Sequence, residues 1–142
     1  MNKITRVEFD ALTVISGRKQ CPSNTDYSEI NEFGESCSFG ESCRFGGRCS
    51  FGESCAYNEH KLRTGYPLLQ LNGAGSVNRG TTAWNTEDGI VIRCGCFEGT
   101  ASEFRTQVRT TYGEKSKHAR VYLGFANLCA VQFDRLDEVD HD

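Results

Sequence analysis

The aromatic residues Phe33, Phe39, Phe45, Phe51 and Tyr57 recur at a constant spacing of six within "FGESCSFGESCRFGGRCSFGESCAYNEH". An amphipathic helix repeats its apolar positions near every 3.6 residues and a half-buried strand every second residue. A period of six that places a glycine after each phenylalanine leaves room for only a short strand before the chain turns. The stretch therefore predicts a solenoid in which each hexad contributes one small, inward-facing segment.

Written from the aromatic, residues 27–62 divide into the hexads "YSEINE", "FGESCS", "FGESCR", "FGGRCS", "FGESCA" and "YNEHKL". The order of apolar residue, glycine, two variable positions and a small residue resembles the hexapeptide repeat of left-handed parallel β-helices. In that architecture three hexads close one triangular coil, so this segment implies about two coils. The aromatic and the cysteine four positions later are expected to face the axis, with Glu, Ser and Arg outward. Two coils bury little on their own. Their ends are expected to be covered by the C-terminal block or by another subunit, which favours a homo-oligomer.

The flanking segments read differently. Residues 1–26 form an N-terminal region in which Ile4, Val7, Phe9, Leu12, Val14 and Ile15 mostly alternate with polar residues, predicting a strand or two. Residues 63–136 form a block of two or three strands followed by two helices. "YPLLQLNGAG" predicts a strand entering a glycine-rich turn, and "GTTAWNTEDGIVIRCGCF" a hairpin turning at Glu87-Asp88-Gly89. Thr100 and Glu103 make a capping box for a first helix that Gly113 ends. The second helix carries Ala119, Tyr122, Leu123, Ala126, Cys129, Ala130 and Phe133 at helical spacing. The acidic residues 137–142 are expected to fray. The predicted fold class is thus α+β, a short hexapeptide-repeat segment followed by a β-hairpin and a two-helix block.

Composition narrows the function. A net charge of −3 over 142 residues gives no basic face for duplex DNA or an anionic membrane. No apolar run is long enough to span a bilayer, and "MNKITRVEFDALTVIS" lacks a signal-peptide core, so a cytoplasmic location is expected. In that compartment the eight cysteines are read as reduced thiols. Cys37, Cys43, Cys49 and Cys55 lack the close paired spacing of zinc ligands and are read as core filling, with a buried thiolate trigon as the alternative. Cys94 and Cys96, two apart on a predicted strand, are expected on one face, unlike a C-x-x-C redox pair. His60, His118 and His141 show no catalytic spacing. No catalytic residue, metal ligand or cofactor is assigned.

One segment is suited to a ligand. In "NGAGSVNRGTTAW" the glycines permit exposed backbone N–H groups, Ser76, Asn78, Arg79, Thr81 and Thr82 add hydrogen-bond donors, and Trp84 lies close in sequence for stacking. These six residues are the candidate site for a small anionic ligand.

The hexads followed by "LNGAGSVNRGTT", "VIRCGCFEGTASEFRTQV" and "KHARVYL" resemble a group of small phage and prophage proteins carrying S-F-G-E-x-C hexads and a G-C-F-x-G-T-x-x-E-F motif. The resemblance spans roughly residues 33–125. The resemblance itself carries no activity, but small acidic phage proteins often blunt host immunity, and one ligand-suited loop without a catalytic constellation makes the expectation an anti-defence protein in the host bacterial cytoplasm that binds and sequesters a nucleotide-type immune signal, such as a cyclic nucleotide. The alternative is an anti-CRISPR-like inhibitor that binds a host defence protein through its acidic hexad surface.

Overall fold

The computed structural model describes residues 1–47, 49–72 and 80–140. The chain is mixed α and β and divides into two units, Met1–Pro67 with Thr86–Asp88, and Leu68–Asn85 with Gly89–Asp142.

The first unit holds β1 (Asn2–Lys3), α1 (Arg6–Asp10), β2 (Val14–Ile15), β3 (Arg18–Cys21), β4 (Thr25–Asp26), β5 (Cys37–Phe39), β6 (Ala56–Tyr57) and β7 (His60–Lys61). Strands β1 and β4 pair in parallel, and a second sheet runs β2-β3-β5-β6-β7. Its three central strands are parallel, joining Lys19 to Cys37, Cys21 to Phe39, Ser38 to Ala56 and Phe39 to Tyr57. Each of these pairs is offset by three hexads, and the isolated bridges Asp26 to Arg44 and Glu32 to Ser50 keep the same offset. Tyr27, Phe33, Phe39, Phe45, Phe51 and Tyr57 are all buried. Within the run, rings one or two hexads apart meet edge to face, as in Phe33–Phe39 at 5.1 Å and Tyr27–Phe39 at 5.2 Å, while rings three hexads apart stack, as in Tyr27–Phe45 at 5.6 Å.

Two further positions of the hexad have structural reasons. In the later hexads the glycine after the aromatic lies against the backbone three hexads earlier: a Cβ on Gly46 would come within 2.9 Å of the Ser28 carbonyl oxygen, and one on Gly52 within 2.7 Å of the Gly34 carbonyl. Two positions beyond that glycine, Ser36, Ser42 and Ser54 take the left-handed conformation with φ of 56°, 60° and 62°. A short hydroxyl residue tolerates that turn better than a β-branched one. The cysteines at the fifth position face inward at Cys37, Cys49 and Cys55, whereas Cys43 is only half-buried.

The N-terminal region holds short strands, as expected, and adds a helix between β1 and β2. Thr5 accepts from the Glu8 amide at 3.2 Å and Glu8 Oε1 accepts from the Thr5 amide at 3.0 Å, a capping box that nucleates helix α1. The helix delivers Phe9 edge-on to Phe33, with ring centroids 5.5 Å apart. Lys19 Nζ lies 4.2 Å from the Phe9 ring centroid and donates to the Phe9 carbonyl at 3.0 Å. The apolar alternation misleads because Val7, Val14 and Ile15 are exposed.

The second unit is a four-stranded sheet in the order β11-β10-β9-β8, from β8 (Leu68–Leu71), β9 (Thr81–Thr86), β10 (Gly89–Cys94) and β11 (Phe97–Thr100). Helices α2 (Ala101–Tyr112) and α3 (Lys117–Gln132) follow. Ala83, Ile90 and Ile92 of the sheet form one core with Phe104 and Val108 of α2 and Tyr122, Ala126 and Cys129 of α3. The Glu87-Asp88-Gly89 turn, the Thr100–Glu103 capping box and the stop at Gly113 stand as expected. Strand β11 is an addition. It leads into α2 without a connecting loop, so Thr100 ends the strand and caps the helix.

The C-terminal residues are tied down as far as Asp140, against the expectation of fraying. After a 3-10 turn at Leu136–Glu138, Glu138 Oε2 accepts from the Ile90 amide at 3.3 Å. The Asp140 carboxylate pairs with Arg109, and its backbone exchanges two hydrogen bonds of 3.0 Å with the Asn127 side chain. Asn127 Oδ1 also accepts from the buried Arg105 at 2.7 Å. Among the described residues, no helix is long and apolar enough to cross a membrane.

Candidate ligand site

Of the six residues assigned to a ligand by sequence, Ser76, Asn78 and Arg79 lie outside the described residues. The other three belong to β9, where alternation sends neighbours to opposite faces. Thr82 is half-buried and pairs with Gln70. Thr81 is fully buried, and its hydroxyl donates to Cys94 Sγ at 3.2 Å. Trp84 is only 1% exposed. Its indole is packed inside the protein, and Thr81 likewise offers no hydroxyl to solvent.

The Thr81–Cys94 contact leads to a cavity that contiguous sequence does not reveal. It measures about 270 Å³ and lies between the end of β10, the start of β11 and the exposed flank of α2. Phe104, Val108 and Tyr122 form a buried floor, Cys94, Phe97 and Tyr112 are half-buried walls, and Cys96, Gln107 and Thr111 stand exposed at the rim. Residues 104, 108, 111 and 112 share one side of α2 through the i, i+4, i+7 repeat.

The aromatic walls are mutually braced. Phe104 meets Tyr122 edge to face at 5.9 Å, Phe97 tilts onto Phe104 at 5.7 Å, and Tyr112 lies 5.8 Å from Tyr122 with 32° between planes. At the rim, Gln107 Nε2 donates to Thr111 Oγ1 at 3.1 Å, leaving an amide carbonyl and a hydroxyl for a ligand edge. Drug-sized ligands occupy cavities of roughly 300–1,000 Å³. The smaller volume here suits a single ring system with its hydrogen-bonding edge.

The thiols do not share a strand face as expected. Cys94 pairs with Phe97, so Gly95 and Cys96 form a two-residue hairpin turn with Gly95 at φ 58°. Cys96 stands exposed on that turn. His60 lies on β7, and His118 in the first turn of α3 packs 5.5 Å from Tyr112, while His141 is outside the described residues. Among the described residues, no three His, Cys, Asp or Glu side chains are gathered as a metal would require.

A second concavity of about 390 Å³ lies on the repeat segment, lined by Gln20, Ser23, Ser38, Gly40, Asn58 and Glu59 with Cys21, Pro22 and Phe39 beneath. It contains the Glu59 carboxylate, which disfavours an anion, whereas the lining of the cavity beside α2 carries no charged side chain. The cavity beside α2 is the better ligand site.

No family model, curated protein or solved structure matches the chain.

Proposed function

We propose that the protein is a non-catalytic binding protein that takes up a small nucleotide-type ligand, with a base-sized ring in the cavity beside α2. The observation that carries this reading is the hydrogen bond from Thr81 to Cys94. It ties the first strand residue after the glycine-rich segment to the wall of an aromatic cavity. The ring stacks between Phe97 and Tyr112, and its polar edge meets Gln107 and Thr111. Arg79, with Ser76 and Asn78, supplies the anion-binding donors expected of the glycine-rich segment.

In biological terms the reading is a phage anti-defence protein that sequesters an immune signal in the host cytoplasm, one ligand per site. The hexads fit a scaffold wound as a short left-handed β-helix, for which the constant three-hexad offset between parallel partners is the support. Titration calorimetry with a panel of mononucleotides and cyclic nucleotides tests the binding. Saturable uptake that Tyr112→Ala and Arg79→Ala each weaken about 10- to 100-fold is expected. Absence of heat with every nucleotide overturns it.

One observation favours a protein-directed alternative. Glu35 and Glu53, and likewise Glu41 and Glu59, are exposed and three hexads apart, so acidic side chains align in two rows. An inhibitor docking on a basic host surface would use such rows. Replacing Glu35, Glu41 and Glu53 by glutamine then abolishes its protection of phage, and Tyr112→Ala leaves it unchanged.

A further inference from the structure

The turn that closes β10 against β11 reads Cys94-Gly95-Cys96-Phe97, with two thiols in three residues. Cys94 and Phe97 pair as the last rung of the ladder, so Gly95 and Cys96 are the central residues of the hairpin. Gly95 takes φ 58°, as the first central position of a type II′ turn requires. On an extended strand, Cα atoms two residues apart lie about 6.6–6.8 Å from each other, the outer limit of what a disulfide spans. A turn residue between them shortens that separation. The two side chains also share a space, since Cys94 and Cys96 both line the cavity beside α2.

The two sulfurs are not equivalent. Cys96 is exposed at the cavity rim, where a small disulfide arriving from solvent meets it first. Cys94 is half-buried on the wall, and its Sγ accepts a hydrogen bond of 3.2 Å from the buried Thr81 hydroxyl. A donor aimed at sulfur favours thiolate over thiol. No charged side chain lines the cavity, so a thiolate meets no carboxylate there.

We infer that Cys94-Gly95-Cys96 is a dithiol–disulfide exchange site that takes low-molecular-mass disulfides. The Cys96 thiolate attacks one sulfur of the disulfide and expels the first thiolate, leaving a mixed disulfide on Cys96. The Cys94 thiolate then attacks Cys96 Sγ and expels the second, which closes the Cys94–Cys96 bond. The cysteine pair loses two electrons and the small disulfide gains them, and the two protons given up by the cysteines end on the two departing thiols. A ring closed over a single glycine is strained and easily reduced, so the same class of thiol reopens it. The chemistry needs no nucleotide in the cavity.

The site is tested by incubating the reduced full chain with glutathione disulfide and glutathione in varied ratio, quenching in acid and mapping the peptides by mass spectrometry. A Cys94–Cys96 disulfide, read as the loss of two hydrogens, is expected to form as the ratio rises and to reopen as it falls, while buried Cys129 stays reduced. Cys94→Ser should hold one glutathione on Cys96, because no second thiolate expels it. Cys96→Ser should leave Cys94 reduced over the same interval. Thr81→Val, which removes the donor to Cys94, should lengthen the life of the mixed disulfide. A wild-type chain that accumulates glutathione on Cys96 without closing the ring overturns the inference, as does one in which both thiols stay reduced at every ratio.

Discussion

Phe33 and Phe51 stack nearly parallel, with ring centroids 4.7 Å apart and planes 16° from coplanar, although three hexads separate them in the chain. Both are almost wholly buried. Phe51 also meets Phe39 and Phe45 edge to face at 5.7 Å each, so its ring joins three others. Phe51→Ala should therefore destabilise the protein by about 3–5 kcal/mol through lost burial and an unfilled cavity. Exposed Val14 is the control, and Val14→Ala should change the urea midpoint little.

The hexad glycines divide by what lies beside them. A Cβ on Gly52 would press on the Gly34 carbonyl carbon and oxygen at 2.7 Å, and backbone there cannot swing aside, whereas one on Gly47 meets nothing within 4 Å. Gly52→Ala is expected to cost about 1–3 kcal/mol. Gly47→Ala should be neutral or stabilising by up to about 1 kcal/mol, by narrowing the unfolded ensemble. Equal urea midpoints for the two variants would contradict the close approach.

What was legible beforehand followed from local order. The hexads announce their inward aromatics because the same environment returns at the same interval, and Thr100, Glu103 and Gly113 mark helix α2 by short-range chemistry. Helix α1 had an equally local signal, Thr5 with Glu8, masked by apolar residues that turn out to face solvent. Strand β11 is four residues long and contains Gly99, which would not read as a strand by itself. The cavity was beyond reach for a different reason. Its walls come from residues 94–97, 104–112 and 122, and only the packing of α2 and α3 on the sheet brings them together. The nearness of Trp84 in sequence to a glycine-rich segment says nothing about which face of a strand it takes.

Alkaline pH should weaken the fold through its buried thiols. Burial pushes the Cys49 thiol up to about 11 and Cys129 up to about 12. Because the folded state resists ionisation, the stabilisation is complete below the unfolded thiol range near 8.5–9 and is lost as pH rises through that range towards the folded values. Each thiol contributes a loss on the order of 1 kcal/mol by pH 10. Urea unfolding at pH 7.5 and pH 10 should show the fall, and Cys49→Ala should reduce it.

The Asp140 contacts should hold the chain end to the helices. Asp140→Ala removes one carboxylate partner of Arg109, which keeps Glu114 at 3.2 Å, and spares the backbone bonds from Asp140 to Asn127. A loss of about 1–3 kcal/mol is expected, since a charged hydrogen bond goes with its carboxylate. Hydrogen exchange should then rise at the Asp140 and Val139 amides before it rises in the core of α3. An unaltered exchange pattern would mean that the ion pair orders nothing.

Cys96 offers a direct reporter of the cavity beside α2. It is exposed on the Gly95–Cys96 turn, while Cys21, Cys37, Cys49, Cys55 and Cys129 are buried and Cys43 and Cys94 are half-buried. Under native conditions a maleimide should modify Cys96 first, and Cys96→Ser should remove that fast phase. A nucleotide whose ring sits between Phe97 and Tyr112 covers the rim where Cys96 stands, so saturating ligand should slow the phase at least about tenfold. Filling the cavity by Val108→Trp should abolish this protection without abolishing labelling. Ligand binding measured calorimetrically but without protection of Cys96 would move the site away from α2.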